Sequence, residues 1–199
     1  MNTEPARGIY LASRSPRRHE LLGQIGVKFE SMDIEVDERV LEGEAPRAYV
    51  ERLARAKAEA GWQRVEREKR PPAPVLGADT TVAVDGRIFG KPADPQEAAA
   101  MLAAISGRLH EVLTAIAVRS GAHVESVVSV SEVRFKPLSE QDISGYIATG
   151  EWRDKAGAYG IQGQAARFVA ELRGSFSGVV GLPLEETLQL LERIRQEAA

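Results

Sequence analysis

The chain has 199 residues, 43% of them hydrophobic and 28% charged, with 26 basic residues against 29 acidic and a net charge of −3. A chain of this length can bury roughly two-thirds of its unfolded surface around a packed core, and the composition excludes collagenous and disordered classes. With no cysteine, disulfides, thiol nucleophiles, iron–sulfur clusters and Cys-ligated zinc are excluded, and the slight acidity speaks against a stable nucleic-acid partner, which needs surplus Lys and Arg to displace counterions.

Residues 1–8 are polar, include Glu4 and Pro5, and lead into no apolar run of signal-peptide type. No stretch approaches the ~20 apolar residues of a membrane span. The expectation is a cytoplasmic chain with no membrane partner, one domain over residues 1–199 with 1–7 as a flexible N-terminus. Residues 8–12 read as a short apolar strand, after which Ser15-Pro16 opens a helix with a capping residue and proline at its first position. Residues 27–32 read as a second strand. The next helix spans 46–67 with Tyr49, Leu53, Ala56 and Ala60 on one face, and ends in the charged, proline-rich loop 63–74. Strands follow at 75–78 and 81–84. Asp94-Pro95-Gln96-Glu97 is a capping box that starts an Ala-rich helix to Ile105. Residues 111–119 and 123–135 alternate around Gly121 as an antiparallel hairpin. Ser139 caps another helix, and Pro183 begins the last, with Leu184, Leu188 and Leu191 facing inward. Strands alternating with helices, plus a hairpin, predict a mixed α/β fold with a central mixed β-sheet flanked by helices.

Ser13-Arg14-Ser15-Pro16-Arg17-Arg18 places two hydroxyls and three guanidiniums where a strand gives way to a helix. Free N–H groups and the helix dipole favour an anion there, whereas unpaired arginines in the first turn oppose the dipole. A bound phosphate resolves that conflict through bidentate hydrogen bonds; otherwise Ser15 merely caps and the arginines are solvated. Asp79, in Gly77-Ala78-Asp79-Thr80, ends an apolar strand, a usual place for a metal ligand or general base but also for an ordinary polar turn. Gly86-Arg87-Ile88-Phe89-Gly90-Lys91-Pro92 fails the P-loop pattern, since its glycine spacing is one short and Pro92 replaces the metal-binding hydroxyl. Lys91 remains either a site cation or a solvated turn lysine. The run from Asp154 to Gly163, with Lys155 and Gln162, lets backbone approach a ligand closely, and Gln162 offers a donor and an acceptor to a base edge. His19, His110 and His123 form no metal spacing, and Ser175 and Ser177 lack the glycine flanks of a nucleophile elbow.

With these segments in view, and with Val179-Val180-Gly181-Leu182-Pro183-Leu184, the chain resembles the Maf family of nucleoside triphosphate pyrophosphatases. The five pieces fall in family order and span nearly the whole chain. The resemblance implies a Maf/ITPase-like fold with two lobes around a deep nucleotide-binding cleft. It also implies hydrolysis of a nucleoside triphosphate to the monophosphate and pyrophosphate with a divalent metal cation, Mg²⁺ first and Mn²⁺ as an alternative. By position, Asp79 resembles the family's proton acceptor, and Arg18, Thr80 and Gln162 match the positions that separate subgroups. In this combination they resemble the subgroup acting on dTTP and UTP. Gly178, where many relatives carry Asn, and Trp152, where smaller residues are frequent, are departures that could alter loop shape or base preference.

On that reading Arg17, Arg18, Lys57, Lys91 and Lys155 surround the phosphates with Ser13 and Ser15, and Lys91 assists Asp79. Lys57 could instead be a solvated charge on its Arg-rich helix. Glu38 and Asp79 are the expected metal ligands, with Glu35 and Asp37 as substitutes for Glu38. The competing readings are a pyrophosphatase for other or modified bases such as 7-methyl-GTP, and a non-catalytic nucleotide-sensing regulator of cell division. A weak nucleic-acid binder, suggested by Arg14, Arg17 and Arg18, is disfavoured by composition. The resemblance also suggests a homodimer.

Overall fold

The computed structural model describes residues 8–197, so the expected flexible stretch 1–7 lies outside the described residues. One seven-stranded mixed sheet runs through them. Strand β1 (Ile9–Ala12) is buried along its whole length, the pattern of a central parallel strand. It pairs in parallel with β2 (Phe29–Ser31) on one side and with β3 (Val75–Val84) on the other. Antiparallel pairing then carries the sheet through β5 (Leu109–Ser120), β6 (His123–Phe135) and β7 (Val169–Arg173), while the short β4 (Arg87–Phe89) returns along β3.

Helix α2 (Pro46–Arg67) covers one face, packing Tyr49, Val50, Leu53, Ala54 and Ala58 on Ala83, Leu113, Ala115 and Ala117. The other face carries a larger core, to which α1 (Pro16–Gln24), α3 (Pro95–Ile105), α4 (Glu140–Thr149) and α6 (Leu184–Glu197) contribute. The short α5 (Phe176–Val180) precedes α6.

Two details of the sheet create the space for a site. The β1–β3 ladder stops where Ala12 meets Gly77, and β4 takes up the same edge of β3 only from Val82. Residues 78–81 are therefore paired with β5 on one side and open on the other. The second detail is Gly77. A Cβ there would lie 2.3 Å from the Ala54 carbonyl oxygen and 2.5 Å from the Ala58 nitrogen. The missing side chain lets α2 descend onto β3 by its backbone, two residues before Asp79.

The structure corrects several expectations. The two strands at 75–78 and 81–84 are one strand, so Asp79 lies mid-strand; the polar pair Asp79-Thr80 is tolerated because it faces the open edge. The second strand shrinks to three residues. On α2, Ala56 and Ala60 are only half-buried, while the buried face includes Lys57. On α6, Leu188 is exposed and Thr187, Leu190, Leu191 and Ile194 turn inward. The loop at 86–92 contains β4, and β7 and α5 are too short and weakly patterned to leave a signal in the sequence. Ser139 and Asp142 do form a reciprocal capping box. Ser15 stands at the N-cap of α1, but its side chain makes no capping hydrogen bond.

Candidate active site

A cavity of about 500 Å³ opens at the gap in β3, and the candidates named from sequence, from Ser13 to Gln162, line it with the exception of the alternative metal ligands Glu35 and Asp37. Adjacent strand residues project to opposite faces. Asp79 and Thr80 nonetheless reach one cavity because it lies at the open edge of β3 rather than over a face. Six basic side chains line it (Arg14, Arg17, Arg18, Lys57, Lys91 and Lys155) against three acidic ones, Glu38, Asp79 and Asp154. An acidic chain thus carries a locally cationic site, where low-dielectric walls focus the field on an anion.

At its floor the Lys57 ammonium donates to Asp79 Oδ1 at 2.6 Å and to Glu38 Oε1 at 2.7 Å. The Lys57 and Asp79 side chains are only 10% and 11% exposed, which removes the reading of Lys57 as a solvated charge. Lys91 Nζ stands 3.4 Å from the other Glu38 oxygen. The two carboxylates are driven apart in acidity. Burial raises Asp79 above the ordinary aspartate range, with the Lys57 and Arg18 charges working against it. Burial also acts to raise Glu38, but the hydrogen bond and charge of Lys57, helped by Lys91, leave it below its ordinary value. A pair separated in this way supports different proton roles for its members. Glu38 belongs to the extended stretch before α2, held by the Tyr49 hydroxyl, which donates to the Glu38 carbonyl oxygen at 3.0 Å. Glu35 and Asp37 do not line the cavity; Asp37 is instead engaged by Arg39 and drops to about 2 through that hydrogen bond.

The opposite wall is built by Arg17 and Arg18 at the start of α1. Arg18 donates from Nε to the Gly181 carbonyl at 2.8 Å, from Nη1 to Ser13 Oγ at 3.1 Å and from Nη2 to Thr80 Oγ1 at 3.2 Å. A guanidinium has five N–H groups, so two remain for a ligand. Arg17 Nε donates to the Val180 carbonyl at 3.3 Å. The 179–184 segment therefore contributes carbonyl acceptors that aim both arginines, a role its apolar sequence did not disclose. Ser15 uses its backbone N–H on Ser13 Oγ at 3.2 Å.

The glycine-rich run forms the third wall. It is not a loose turn: Asp154 (φ 59°) and Ala158 (φ 64°) hold left-handed backbone without being glycine, the kind of strain that concentrates at functional loops. Gly157 N–H donates to the Gly90 carbonyl at 3.0 Å, tying this loop to the segment bearing Lys91. Lys155 donates to the Glu151 carbonyl, and Gln162 is exposed at the cavity. Trp152 is buried outside the cavity, its indole N–H on the Ile147 carbonyl at 3.1 Å, so it anchors the loop to α4. Gly178 also lies outside the lining and acts through its carbonyl, which accepts from Thr114 Oγ1 at 2.7 Å. Ser175 caps α5 and Ser177 Oγ accepts from Leu184 N–H. His110 is buried, with Nε2 paired to the Tyr159 hydroxyl at 2.8 Å.

Sequence reasoning missed Thr114, the one hydroxyl in the run Val112-Leu113-Thr114-Ala115-Ile116. Its signal was there to read, since a polar group inside a buried strand must find a partner. Among the described residues no three or more His, Cys, Asp or Glu side chains form a metal cage.

A family model described as Maf-like protein matches residues 8–194. Curated relatives include the dTTP/UTP pyrophosphatase of Aromatoleum aromaticum, 56% identical over 92% of this chain and 94% of the relative. The enzyme of that name from Dechloromonas aromatica is 53% identical over 94% and 96%, and that from Chromobacterium violaceum 53% over 96% of each.

Proposed function

The chain belongs to the Maf family, and from that membership we propose that it hydrolyses dTTP and UTP to dTMP or UMP plus pyrophosphate, a cytoplasmic house-cleaning step for the nucleotide pool. The observation that carries this reading is convergence. Residues named in separate sequence segments line one cationic cavity, and a half-exposed glutamate and a buried aspartate share a single lysine at its floor.

In this reading a water oxygen attacks the α-phosphorus, the bond from that phosphorus to the bridging oxygen breaks, and pyrophosphate leaves. Asp79 takes the water's proton, a contribution of roughly 10²–10⁴-fold, and its raised pKa suits a base. Arg17, Arg18, Lys91 and Lys155 receive the phosphates, and Lys57 holds the two carboxylates together against their mutual repulsion and orients them. Positioning and charge complementarity supply most of the remaining acceleration. The donor set fits a divalent cation: two carboxylates already converge on one positive charge, and a hard ion such as Mg²⁺ is usually held by one or two carboxylates plus substrate phosphates rather than by a protein cage. Glu38 and Asp79 would hold Mg²⁺, or Mn²⁺ in its place, which when bound offsets charge on the leaving group. Gln162 faces the base.

The test is to incubate the protein with Mg²⁺ and a panel of triphosphates, measuring pyrophosphate separately from orthophosphate. Pyrophosphate from dTTP and UTP, with little from 7-methyl-GTP, is expected. A preference for 7-methyl-GTP would keep the reaction and overturn the substrate assignment. Binding with no release from any nucleotide would make the chain a nucleotide sensor instead.

A further inference from the structure

Thr114 is fully buried in β5, directly across from Thr80 in the ladder with β3. Its hydroxyl oxygen is 2.7 Å from the Gly178 carbonyl oxygen and 2.9 Å from Thr80 Oγ1. A carbonyl has no proton to give, so the proton in the first contact is Thr114's own. With that proton committed, the one between the two threonines comes from Thr80. Thr80 Oγ1 also accepts from Arg18 Nη2. A hydroxyl has one proton and two lone pairs, so Thr80 keeps one lone pair and no proton for a ligand.

Ser13, on the other terminal nitrogen of the same guanidinium, has the opposite polarity. Its oxygen accepts from Arg18 Nη1 and from Ser15 N–H, which leaves its proton for whatever fills the cavity. Phosphate oxygens accept hydrogen bonds, so they suit Ser13 and the spare N–H groups of Arg18 and are unsuited to Thr80. The space beside Thr80 is kept open by Gly181 (φ 131°), where a Cβ would lie against Thr80 Oγ1 at 3.6 Å.

We propose that Thr114 is a specificity-positioning residue: by accepting a hydrogen bond from the Thr80 hydroxyl while donating its own to the Gly178 carbonyl oxygen, it makes Thr80 a dedicated acceptor for an N–H or O–H of the nucleoside. That donor is either the base N3–H or a sugar hydroxyl. The proposal rests on the nucleotide reading of the cavity and deepens it, since Thr80 then reads the nucleoside and not the phosphates. A ligand lacking the donor leaves a lone pair unmatched, a loss of about tenfold or more in affinity.

Nucleoside monophosphates, which have no anhydride to cleave, provide the test by calorimetry on wild type, Thr114→Val and Thr114→Ser. dUMP and dCMP differ in whether N3 donates or accepts; dTMP and its 3′-deoxy counterpart differ in the sugar hydroxyl. Wild type and Thr114→Ser should prefer the donor-bearing member of one pair by about tenfold or more, and Thr114→Val, with a free Thr80 proton, should reduce that preference to about threefold or less at a temperature where the variant is still folded, its Tm being lowered by the unpaired Gly178 carbonyl. The affected pair identifies base or sugar as the donor. Wild-type ratios in Thr114→Val, or no preference in wild type for either pair, overturn the proposal. Should Thr114→Val not fold, Thr80→Val must erase the same preference, and its retention overturns the proposal equally. Pyrophosphate release from dTTP is followed in parallel: its absence with the donor preference intact removes the hydrolytic reading and leaves the Thr114 relay standing.

Discussion

At the scale of single residues, Asp79 combines a buried position, an ammonium at 2.6 Å and an acidity weakened by burial. Asn preserves its shape and can still accept from Lys57, so Asp79→Asn should lower kcat by roughly 10²–10⁴-fold while calorimetry still detects nucleotide. A base works only when ionised. Because the folded pKa is raised in the free protein, kcat/KM should fall on acidification at a higher pH than an ordinary aspartate would give, and a pH–rate profile measures that limb. Gln162 is exposed and lines the cavity. Gln162→Glu replaces its amide donor with a charge, so the dTTP:7-methyl-GTP ratio should shift; an unchanged ratio would remove it from base selection. These residues were legible in the sequence because each is a charged or amide side chain inside a short, distinctive string. Thr114 was not, because its importance lies in a partner 64 residues away.

At the scale of elements, the pairing of α2 with β3 decides whether Lys57 meets Asp79. Gly77→Ala drives a methyl into α2 backbone that cannot rotate away. The cost should be about 1–3 kcal/mol, a fall in Tm of roughly 2–10 °C. The loss of activity at a temperature where the variant is folded should exceed what unfolding explains, since α2 must lift Lys57 off the carboxylate. Helix α2 itself was predictable to its end residues, from the proline at its start and the apolar periodicity. Its buried face was misjudged, because a lysine between two alanines reads as solvated until a carboxylate is found opposite it. The continuous β3 was split for a related reason: two polar residues inside a strand look like a break unless a gap in the neighbouring strands is known.

At the scale of the whole molecule, two quantities depend on the summed structure. His110 sits 2% exposed among Phe135 and Tyr159, and burial lowers it from 6.5 to about 4. Between those values the unfolded chain binds the proton and the folded chain does not, so stability is complete above pH 6.5 and is lost as pH falls toward 4. The loss should reach roughly 3 kcal/mol, seen as a falling urea midpoint, and His110→Phe should flatten that dependence. The cationic cavity in a chain of net charge −3 predicts a KM for dTTP that rises with ionic strength, because salt screens the attraction that gathers the polyanion. A salt-independent KM would mean that contact hydrogen bonds, not the field, set affinity.

The mixed α/β class, most elements and the charged and amide side chains of the cavity follow from the order of residues along the chain, because periodicity, caps and clustered polar residues are properties of neighbouring positions. Which of those side chains touch depends on how distant segments pack. Lys57 meets Asp79 across 22 residues, and Arg18 meets Gly181 across 163. The open edge of β3 arises from where two other strands stop. The direction of the Thr80 proton is set by a carbonyl on α5. Burial, acidity and hydrogen-bond polarity are consequences of such distant pairings, and a local pattern contains no record of them.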